Sequence, residues 1–301
     1  MERMPNFLVI GAAKTGTTSL HNYLGQHPEI FMSENKEPAF FAHEGRPETR
    51  YMRKHAAAYV TDLDAYQGLF DDVRDETAVG ESSPQYLEFA GSGVVERIER
   101  YVPEARLIAT IRQPVERAFS SYVMNYVDDG ITMEAFAARI RQDWARGDDF
   151  GQLYDGSYNF VRSYARRLSV FLDRFDRARI KLCLFDDIVA DTPVFVRDIF
   201  AFLEVDENAT IDFSTRHNET KALKDAGTRM LLRRPNPIRY AARKLLPSDL
   251  RIALRTRIEG ARQKKPPRLD PELRRELSEP LASEIRRLEE LLDRDLFHWL
   301  T

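Results

Sequence analysis

A short segment near the N-terminus has the residue types and the spacing of a loop that binds an anion. An apolar run that begins at Phe7 stops at Gly11, and Lys14 and Gly16 follow within a stretch that also contains three threonines. A helical pattern begins at Ser19. A loop that leads from a strand into the first turn of a helix directs backbone N–H groups at a bound anion. The sequence therefore predicts a phosphate-binding loop that contains Lys14.

The spacing of this loop imitates the nucleoside-triphosphate loop G-x-x-x-x-G-K-[ST], with one change that alters its chemistry. Gly11 and Gly16 have the right separation, but Thr17 takes the place of the lysine that reaches the β- and γ-phosphates. The only lysine of the loop, Lys14, lies inside it. This pattern argues against ordinary ATP or GTP chemistry. The alternative interpretation is a strand–loop–helix turn that binds no ligand.

A second candidate site lies at the end of the best central strand of the sequence, residues 105–112. Arg112 places a permanent cation there, Pro114 starts the next helix, and Ser120 falls two turns into that helix. Ligands of open α/β sheets gather at the carboxyl ends of the strands. Arg112 is therefore predicted to pair with a second phosphate. A structural salt bridge is the alternative.

Strand-like and helix-like patterns alternate along the chain, which predicts an α/β fold with a central parallel sheet flanked by helices. No internal repeat or low-complexity segment interrupts the 301 residues, and a single domain is expected. Beyond Asp270, the leucine spacing predicts a helical C-terminal part that closes onto the core. The predicted strands are 7–10, 29–32, 77–81, 105–112 and 180–185, and the later predicted helices begin at 114 and cover 160–175 and 194–203.

Composition indicates a soluble protein of a reducing compartment. The single cysteine, Cys183, stands in an apolar strand-like run, so no intrachain disulfide can form and a buried thiol is expected. The N-terminus has no signal-like pattern, and no apolar run approaches the ~18 residues of a membrane-spanning helix. We therefore expect a cytoplasmic location.

Three motifs together resemble the sulfotransferases that use 3′-phosphoadenosine 5′-phosphosulfate (PAPS), in particular the heparan sulfate branch and its soluble bacterial relatives. They are the Gly11–Thr18 loop, the Arg112…Ser120 pair and the segment Lys36–Phe41, and the similarity runs from Phe7 to about Lys221. The resemblance implies that the first loop grips the 5′-phosphosulfate and that Arg112 and Ser120 hold the 3′-phosphate. It also explains the missing second lysine, because PAPS has no γ-phosphate. The loop residues assigned to the donor are Lys14, Thr15, Gly16, Thr17, Thr18 and Ser19.

The segment Glu37-Pro38-Ala39-Phe40-Phe41 matches the E-x-x-F-F element of this family, whose carboxylate is the general base for the acceptor proton. Transfer to an alcohol needs such a base, and the two phenylalanines are predicted to wall the site and desolvate the carboxylate. Lys36 is predicted to offset the charge that develops on the sulfuryl group. The alternative is a surface Lys-Glu pair before two core phenylalanines. Gly80–Tyr86 resembles the acceptor-side loop, although Ser82 stands where heparan enzymes commonly have lysine.

Two further donor contacts are implied by the resemblance alone. Tyr158, in Gly156-Ser157-Tyr158, matches a segment that lines the adenosine, although a packing tyrosine is an equal alternative. Lys221 matches a loop lysine that closes over the nucleotide, but Ala222 replaces the glycine that follows it in the family. The six histidines lack metal-ligand spacing, and only His43 and His217 are expected near the site. No metal ion is expected.

Positive charge is concentrated between Arg229 and Arg268, where 13 Lys or Arg residues stand against Asp249 and Glu259. Apolar and basic residues interleave there as in surface helices, which predicts a basic, helical insertion or lid at about 229–268. One interpretation is a charged face whose apolar side packs on the core. The other is a lid beside the acceptor cleft that attracts an anionic acceptor or an anionic membrane surface.

The sequence thus predicts a P-loop-type, metal-independent sulfotransferase that moves the sulfuryl group of PAPS to a hydroxyl or amine and releases 3′-phosphoadenosine 5′-phosphate (PAP). The acceptor is a glycan, lipid or small metabolite, with peptide tyrosine also open. A P-loop kinase with an altered loop is the rival interpretation, with Asp186 and Asp187 as candidate magnesium ligands. A nucleic-acid-binding module is disfavoured by the acidic remainder of the chain.

Overall fold

A computed structural model of the protein describes residues 4–45, 59–126, 132–147, 159–214, 222–223, 263–264 and 267–301. The predicted donor residues Tyr158 and Lys221 and nearly all of the basic segment 229–268 lie outside these ranges. Two short described stretches pair as an antiparallel ladder: Ala222–Leu223 precedes that segment, and Gln263–Lys264 lies near its end. The chain at Ala222–Leu223 therefore lies next to the chain at Gln263–Lys264.

Five strands form one parallel sheet, as the alternating pattern predicted. In sheet order, β2 and β3 lie on one side of β1, and β4 and β5 lie on the other. Because all strands are parallel, their carboxyl ends meet at one edge, where ligands of open α/β sheets bind. The strands are β1 Phe7–Gly11, β2 Ile30–Met32, β3 Ala78–Ser82, β4 Arg106–Ile111 and β5 Ile180–Leu184.

Twelve α-helices lie in the described part of the chain. They are α1 Thr17–Leu24, α2 Phe40–His43, α3 Leu63–Gln67, α4 Gln85–Glu88, α5 Val94–Tyr101, α6 Pro114–Tyr126, α7 Met133–Ala145, α8 Tyr164–Leu172, α9 Phe185–Ala190, α10 Thr192–Leu203, α11 Pro271–Ser278 and α12 Ala282–Leu292. The helix expected over 160–175 is shorter than predicted, because its first turn is a separate 3₁₀ turn, Asn159–Arg162.

Both faces of the sheet are covered, which explains why β1 is apolar throughout. Phe7 and Val9 point to the face packed by α1 and α10, and Leu8 and Ile10 point to the face packed by α5, α6, α8 and α12. All four side chains are fully buried, as expected for a parallel strand between two helical layers. Cys183 is buried on the α1 side, as predicted, and burial raises the pKa of its thiol to about 12.

The C-terminal helices close onto the second face, as their leucine spacing predicted. Leu277, Leu281, Ile285 and Leu288 are buried against the core. No helix among the described residues is long and apolar enough to cross a bilayer. The C-terminal segment therefore forms part of the layer that supports the carboxyl edge of the sheet.

Candidate active site

The predicted site residues that the structure describes come from loops at the carboxyl edge of the sheet. The Lys14 loop follows β1, Glu37 follows β2, and Arg112 follows β4. These three strands are parallel members of one sheet, with β4 beside β1 and β2 separated from β1 by β3, so their carboxyl ends lie at the same edge. The fold therefore brings residues from three separate motifs to one place.

The loop after β1 enters helix α1 through Gly16, the residue before its first turn. Gly16 has φ +88°, a left-handed conformation that suits glycine. A Cβ atom there would lie 3.3 Å from Ile188 Cδ1 and 3.4 Å from the Phe185 ring, so the position is also sterically confined. No side chain of the described residues caps α1. Its first backbone N–H groups have the arrangement that binds anions at helix N-termini.

Thr15 shapes the loop from inside. Its side chain is fully buried, and its hydroxyl lies 2.6 Å from the Ala12 carbonyl oxygen and 2.5 Å from Thr110 Oγ1. The Thr15 hydroxyl is thus engaged within the sheet edge. Thr15 can therefore offer a donor only its backbone N–H. Thr18 and Ser19, in the first turn of α1, are half-buried, and their side chains lie near the surface.

Lys14 lies where the charges of the site converge. Burial lowers the pKa of its ammonium group, the cations Arg112 and Arg117 lower it further, and Glu37 opposes them, with a smaller lowering by Lys36. Its Nζ donates to the Met124 sulfur at 3.5 Å. Four of the predicted site residues, Lys14, Lys36, Glu37 and Arg112, are therefore close enough to interact through their charges.

No motif in the sequence singled out Arg117, but its side chain braces the loop. Its Nε donates to the Ala13 carbonyl at 3.0 Å, and its Nη2 forms a buried ion pair with Glu88 at 2.5 Å. The guanidinium also stacks over Phe160, 3.9 Å from the ring centroid. The contact joins residues 104 positions apart. Local spacing gives no signal for such a pair.

Arg112 is half-buried and oriented from two sides. Its guanidinium lies over the Phe185 ring at 4.6 Å and pairs with Glu116 Oε2 at 3.2 Å. Glu116 also accepts from Arg274 Nε at 3.1 Å, which links this site to helix α11. Both predicted interpretations of Arg112 are thus compatible with the structure: it has a salt bridge, and it stands at the ligand edge. Ser120 lies on the same helix, α6, and is half-buried.

The neighbouring Gln113 anchors this turn to the C-terminus. Its amide nitrogen donates to Ser278 Oγ at 2.7 Å and to the Trp299 carbonyl at 3.1 Å, and its amide oxygen accepts from the Glu116 backbone N–H at 2.7 Å. Gln113 is 1% exposed. The C-terminal segment therefore fixes the backbone that presents Arg112.

Glu37 presents its carboxylate from a constrained backbone. Its φ is +67°, and its N–H donates to the Ser82 carbonyl at 3.0 Å. Lys36 Nζ pairs with Oε1, and Gln85 Nε2 donates to Oε2 at 3.2 Å. The side chain remains 37% exposed. A carboxylate that is held by two donors and still reaches solvent has the access that a base for an incoming hydroxyl requires.

Two sequence predictions about this side are corrected by burial. Phe40 and Phe41 do not wall an open site: both are fully buried in the aromatic core, where Phe40 stacks on Tyr66 at 4.4 Å. The loop expected on the acceptor side is likewise interior at Glu81, Ser82 and Ser83, all 0% exposed. Glu81, Ser82 and Ser83 lie in the interior next to the Glu37 segment, and none of them presents a side chain to an acceptor.

Only His43 and His217 were expected near the site, but the structure places His21 beside Lys36 and Glu37. Burial lowers the pKa of its imidazole to about 4, with a further lowering by Lys36 and an opposing effect of Glu37. Its Nδ1 is buried and has no hydrogen-bond partner among the described residues. A lone histidine on an amphipathic helix gives no sequence signal for this proximity, since Lys36 comes from a different loop.

The two carboxylates that the kinase interpretation requires, Asp186 and Asp187, bind side chains of the C-terminal segment. Asp186 accepts from Trp299 Nε1 at 2.8 Å and contacts His298 Nε2 at 3.0 Å. Asp187 pairs with Arg294 at 3.0 Å. Both therefore fasten the C-terminal segment to α9, which disfavours a role in holding magnesium.

Comparison with known proteins identifies the class. A family model described as the sulfotransferase family matches residues 5–209. A crystal structure of a sulfotransferase from Alicyclobacillus acidocaldarius superposes with a TM-score of 0.70 at 30% identity, covering 99% of this chain and 100% of that one. The chain therefore belongs to the sulfotransferase family.

Individual relatives match over a shorter stretch. The membrane-associated sulfotransferase kil1 of Dictyostelium discoideum is 31% identical over 119 residues, which are 40% of this chain and 22% of that protein. The human bifunctional heparan sulfate N-deacetylase/N-sulfotransferase 3 is 32% identical over 123 residues, 40% of this chain and 13% of that protein. The chain thus spans a minor part of the length of both relatives.

Proposed function

We propose that this protein transfers the sulfuryl group of PAPS to an acceptor hydroxyl or amine. The observation that carries the proposal is the meeting of Lys14, Arg112 and Glu37 at the carboxyl edge of a sulfotransferase-family sheet. The cations suit a donor with two separate phosphate groups, and the carboxylate suits a proton acceptor.

On the donor side, the N-terminal turn of α1 would bind the 5′-phosphosulfate through backbone N–H groups of residues 16–19, with Lys14 as the loop cation. Arg112, with Ser120 on the following helix, would hold the 3′-phosphate. Tyr158 and Lys221 remain proposed contacts to the nucleotide. The residues present fit this donor, because the uncapped helix end and the half-buried cations supply anion-binding groups at the same sheet edge.

On the chemical step, Glu37 would take the proton of the acceptor as the new bond to sulfur forms. The bond between sulfur and the bridging phosphate oxygen breaks, and that oxygen leaves with its electron pair on PAP. Lys14 would stabilise the charge on this leaving oxygen, and Lys36 would offset charge on the sulfuryl oxygens. Neither cation needs to gain or lose a proton in this scheme. No metal ion takes part in the proposal.

The acceptor is proposed only by class: a glycan, a lipid or a small molecule. The heparan sulfate relative carries an N-sulfotransferase name, which keeps an amine acceptor open. Ser82 is buried, so the lysine that heparan enzymes commonly present at this position has no counterpart there. The proposed contact of segment 229–268 with an anionic acceptor or membrane would be screened by salt, so acceptor KM should rise with ionic strength if it exists.

Two measurements test the proposed function. The first is the thermal stability of the protein with PAP in the presence of EDTA, compared with ATP and magnesium. A shift with PAP that needs no magnesium supports the proposal, and a shift that appears only with magnesium and ATP supports a kinase instead. The second is incubation with radiolabelled PAPS and fractionated extracts of the source cell, followed by mass detection of a sulfuryl addition. No labelled product in any fraction would contradict it.

A further inference from the structure

A second carboxyl group, Glu81, is buried directly behind the Glu37 segment. Its side chain is fully buried at the end of β3, and three hydroxyl groups contact it. Tyr66 and Tyr86 approach Oε1 at 3.3 Å and 2.5 Å, and Ser83 approaches Oε2 at 2.8 Å. Both tyrosines are also fully buried. Burial of a carboxyl group in a protein core costs free energy even when three hydroxyl groups bond to it. A function for Glu81 would explain why this arrangement is kept.

The direction of these hydrogen bonds follows from Ser83. Its Oγ accepts the Ala39 backbone N–H at 2.9 Å, so its single proton is available for Glu81 Oε2. The two tyrosine hydroxyls donate in the same way to Oε1. All three hydroxyl protons therefore point at an ionised Glu81. If Glu81 takes up a proton, one of these hydroxyls must turn away from it.

The same network fixes the backbone that carries Glu37. The Glu37 N–H donates to the Ser82 carbonyl at 3.0 Å, and the Ala39 N–H donates to Ser83 Oγ. Glu37 and Ala39 both have left-handed backbone conformations, with φ +67° and +51°. Such residues cost of order 1 kcal/mol each unless their surroundings hold them. The two hydrogen bonds that Glu37 and Ala39 donate to the β3 end help to hold them, together with the bond from the Val60 N–H to the Pro38 carbonyl.

We propose that Glu81 is a positioning residue for Glu37, which it holds through Ser83 and the Ala39 backbone. The inference rests on the proposed function, because it takes Glu37 as the base. Glu81 itself touches no reacting group. An ionised Glu81 keeps the Ser83 hydroxyl oriented so that its oxygen receives the Ala39 N–H, and the Glu37 carboxylate then stays at the edge of the sheet. A protonated Glu81 loosens this support.

Protonation of Glu81 is expected near neutral pH. Burial raises the pKa of its carboxyl group to about 7, opposed by the hydrogen bonds from Tyr86, Ser83 and Tyr66 and assisted by the negative charge of Glu37. These are the titratable and polar groups that face it from α3, α4 and the Glu37 segment. Turnover is therefore expected to fall on the acid side of about pH 7 for a reason separate from Glu37 itself.

The test is the Glu81→Gln variant, assayed with radiolabelled PAPS and phenol as a generic hydroxyl acceptor. We expect kcat to fall about 10- to 100-fold, PAP affinity to stay within twofold of wild type, and the acid limb near pH 7 to disappear. Hydrogen exchange at the Ala39 amide, measured without any acceptor, should accelerate. An unchanged kcat with an unchanged acid limb would overturn the inference.

Three further variants and one control variant keep the test decisive if Glu81→Gln folds poorly. Tyr86→Phe and Tyr66→Phe each remove a donor to the ionised carboxylate, so the acid limb should move to higher pH in both. Ser83→Ala should mimic Glu81→Gln in kcat and Ala39 exchange. Ser33→Ala removes an equally buried hydroxyl, bonded to the Asn35 carbonyl, and should leave the acid limb in place. Acid limbs that stay in place in both tyrosine variants would contradict the inference.

The failure of this inference differs from the failure of the proposed function. If wild-type protein neither binds PAP nor transfers label to any acceptor, the proposed function fails. If wild type binds and transfers but the Ala39 amide exchanges at the same rate in wild type, Glu81→Gln and Ser83→Ala, only the positioning role fails. A Ser83→Ala variant that loses activity with normal Ala39 exchange would also reject it.

Discussion

The loop around Lys14 and the segment around Glu37 meet at the same edge of the sheet, yet different forces hold them. Arginines hold the Lys14 side: Arg117 donates to the Ala13 carbonyl, and Arg112 stands beside it, each paired with a glutamate. Hydroxyl groups and backbone amides hold the Glu37 side, through Ser83 and the end of β3. One side is fixed by permanent charge, and the other by hydrogen bonds around a carboxyl group that titrates.

This difference assigns separate tasks to the two regions. Guanidinium groups stay charged at all working pH values, so the two arginines of the donor side keep their positive charge whatever the pH. The Glu37 side depends on the direction of single protons, which suits the control of one proton transfer. Substitutions on the donor side should therefore weaken binding and rate together, and substitutions on the other side should lower the rate alone.

The largest effect is expected for Lys14→Ala. Because Lys14 would contact the donor in the ground state and the leaving oxygen in the transition state, kcat/KM should fall on the order of 10³-fold and PAP affinity should fall with it. Single-turnover kinetics and calorimetry measure the two effects. Lys181→Ala on β5, which removes an ion pair with Asp198 on α10, is the matched control and should lower neither. A Lys14 variant that binds PAP normally would contradict the expectation that donor-side substitutions weaken binding and rate together.

Glu37→Gln should produce the next largest effect, confined to rate. The amide keeps the shape of the side chain but cannot take a proton, so kcat should fall on the order of 10²-fold while PAP affinity stays nearly unchanged. Glu34→Gln changes an exposed carboxylate three positions earlier and should retain full turnover. Equal turnover in Glu37→Gln would exclude Glu37 as the base, and a large loss of PAP affinity would place it on the donor side.

Arg112→Ala should weaken PAP binding by about 2 kcal/mol, or ~30-fold in Kd, with the fold intact. The loss follows from the charged, two-pronged contact that its guanidinium can make with a phosphate. Arg106→Ala is the control: Arg106 stands at the start of β4, the strand that Arg112 follows, where it pairs with Glu204 away from the carboxyl edge. Calorimetry that finds wild-type affinity for Arg112→Ala would leave Arg112 with its structural contacts to Glu116 and Phe185 and no role in binding PAP.

Local patterns in the sequence predicted the sheet and part of the site. The apolar runs of β1 and β4 fixed two central strands, because a buried parallel strand is apolar on both faces. The position of Lys14 within a strand–loop–helix pattern and of Arg112 at a strand end predicted where they lie, since topology alone brings the carboxyl ends of parallel strands together. These predictions needed no knowledge of tertiary contacts.

The remaining parts depend on contacts between distant segments. Arg117 braces a carbonyl 104 residues away, and Gln113 meets Trp299 across 186 residues. Glu81 was expected in an acceptor-side loop because Gly80–Tyr86 resembles that loop of the family, whereas the structure encloses Glu81 with tyrosines from two separate helices. A polar motif alone does not tell an exposed loop from a satisfied interior network. Hydrogen-bond partners, which the sequence does not show, decide between them.

The smallest expected effect is a change in stability with pH that arises from His21. It tests whether the Glu37 side of the site tolerates another cation. The unfolded imidazole has a pKa near 6.5, and the folded one has a pKa of about 4 because of burial and the neighbouring Lys36. Between these values the unfolded state binds more protons, so the free energy of unfolding should fall as pH falls from about 7 to 4. The loss attributable to His21 is on the order of 1 kcal/mol, allowing for its partial exposure.

The His21→Gln variant removes this titration while it keeps a polar side chain next to Lys36. Denaturant unfolding at pH 7 and at pH 5 measures the difference in stability between the two values for each protein. The variant should lose less stability than wild type over this interval, whatever its stability at pH 7, because its side chain takes up no proton on unfolding. An identical loss in both proteins would mean that folded His21 carries a positive charge beside Lys36. The Glu37 side would then tolerate a further cation, as the donor side does.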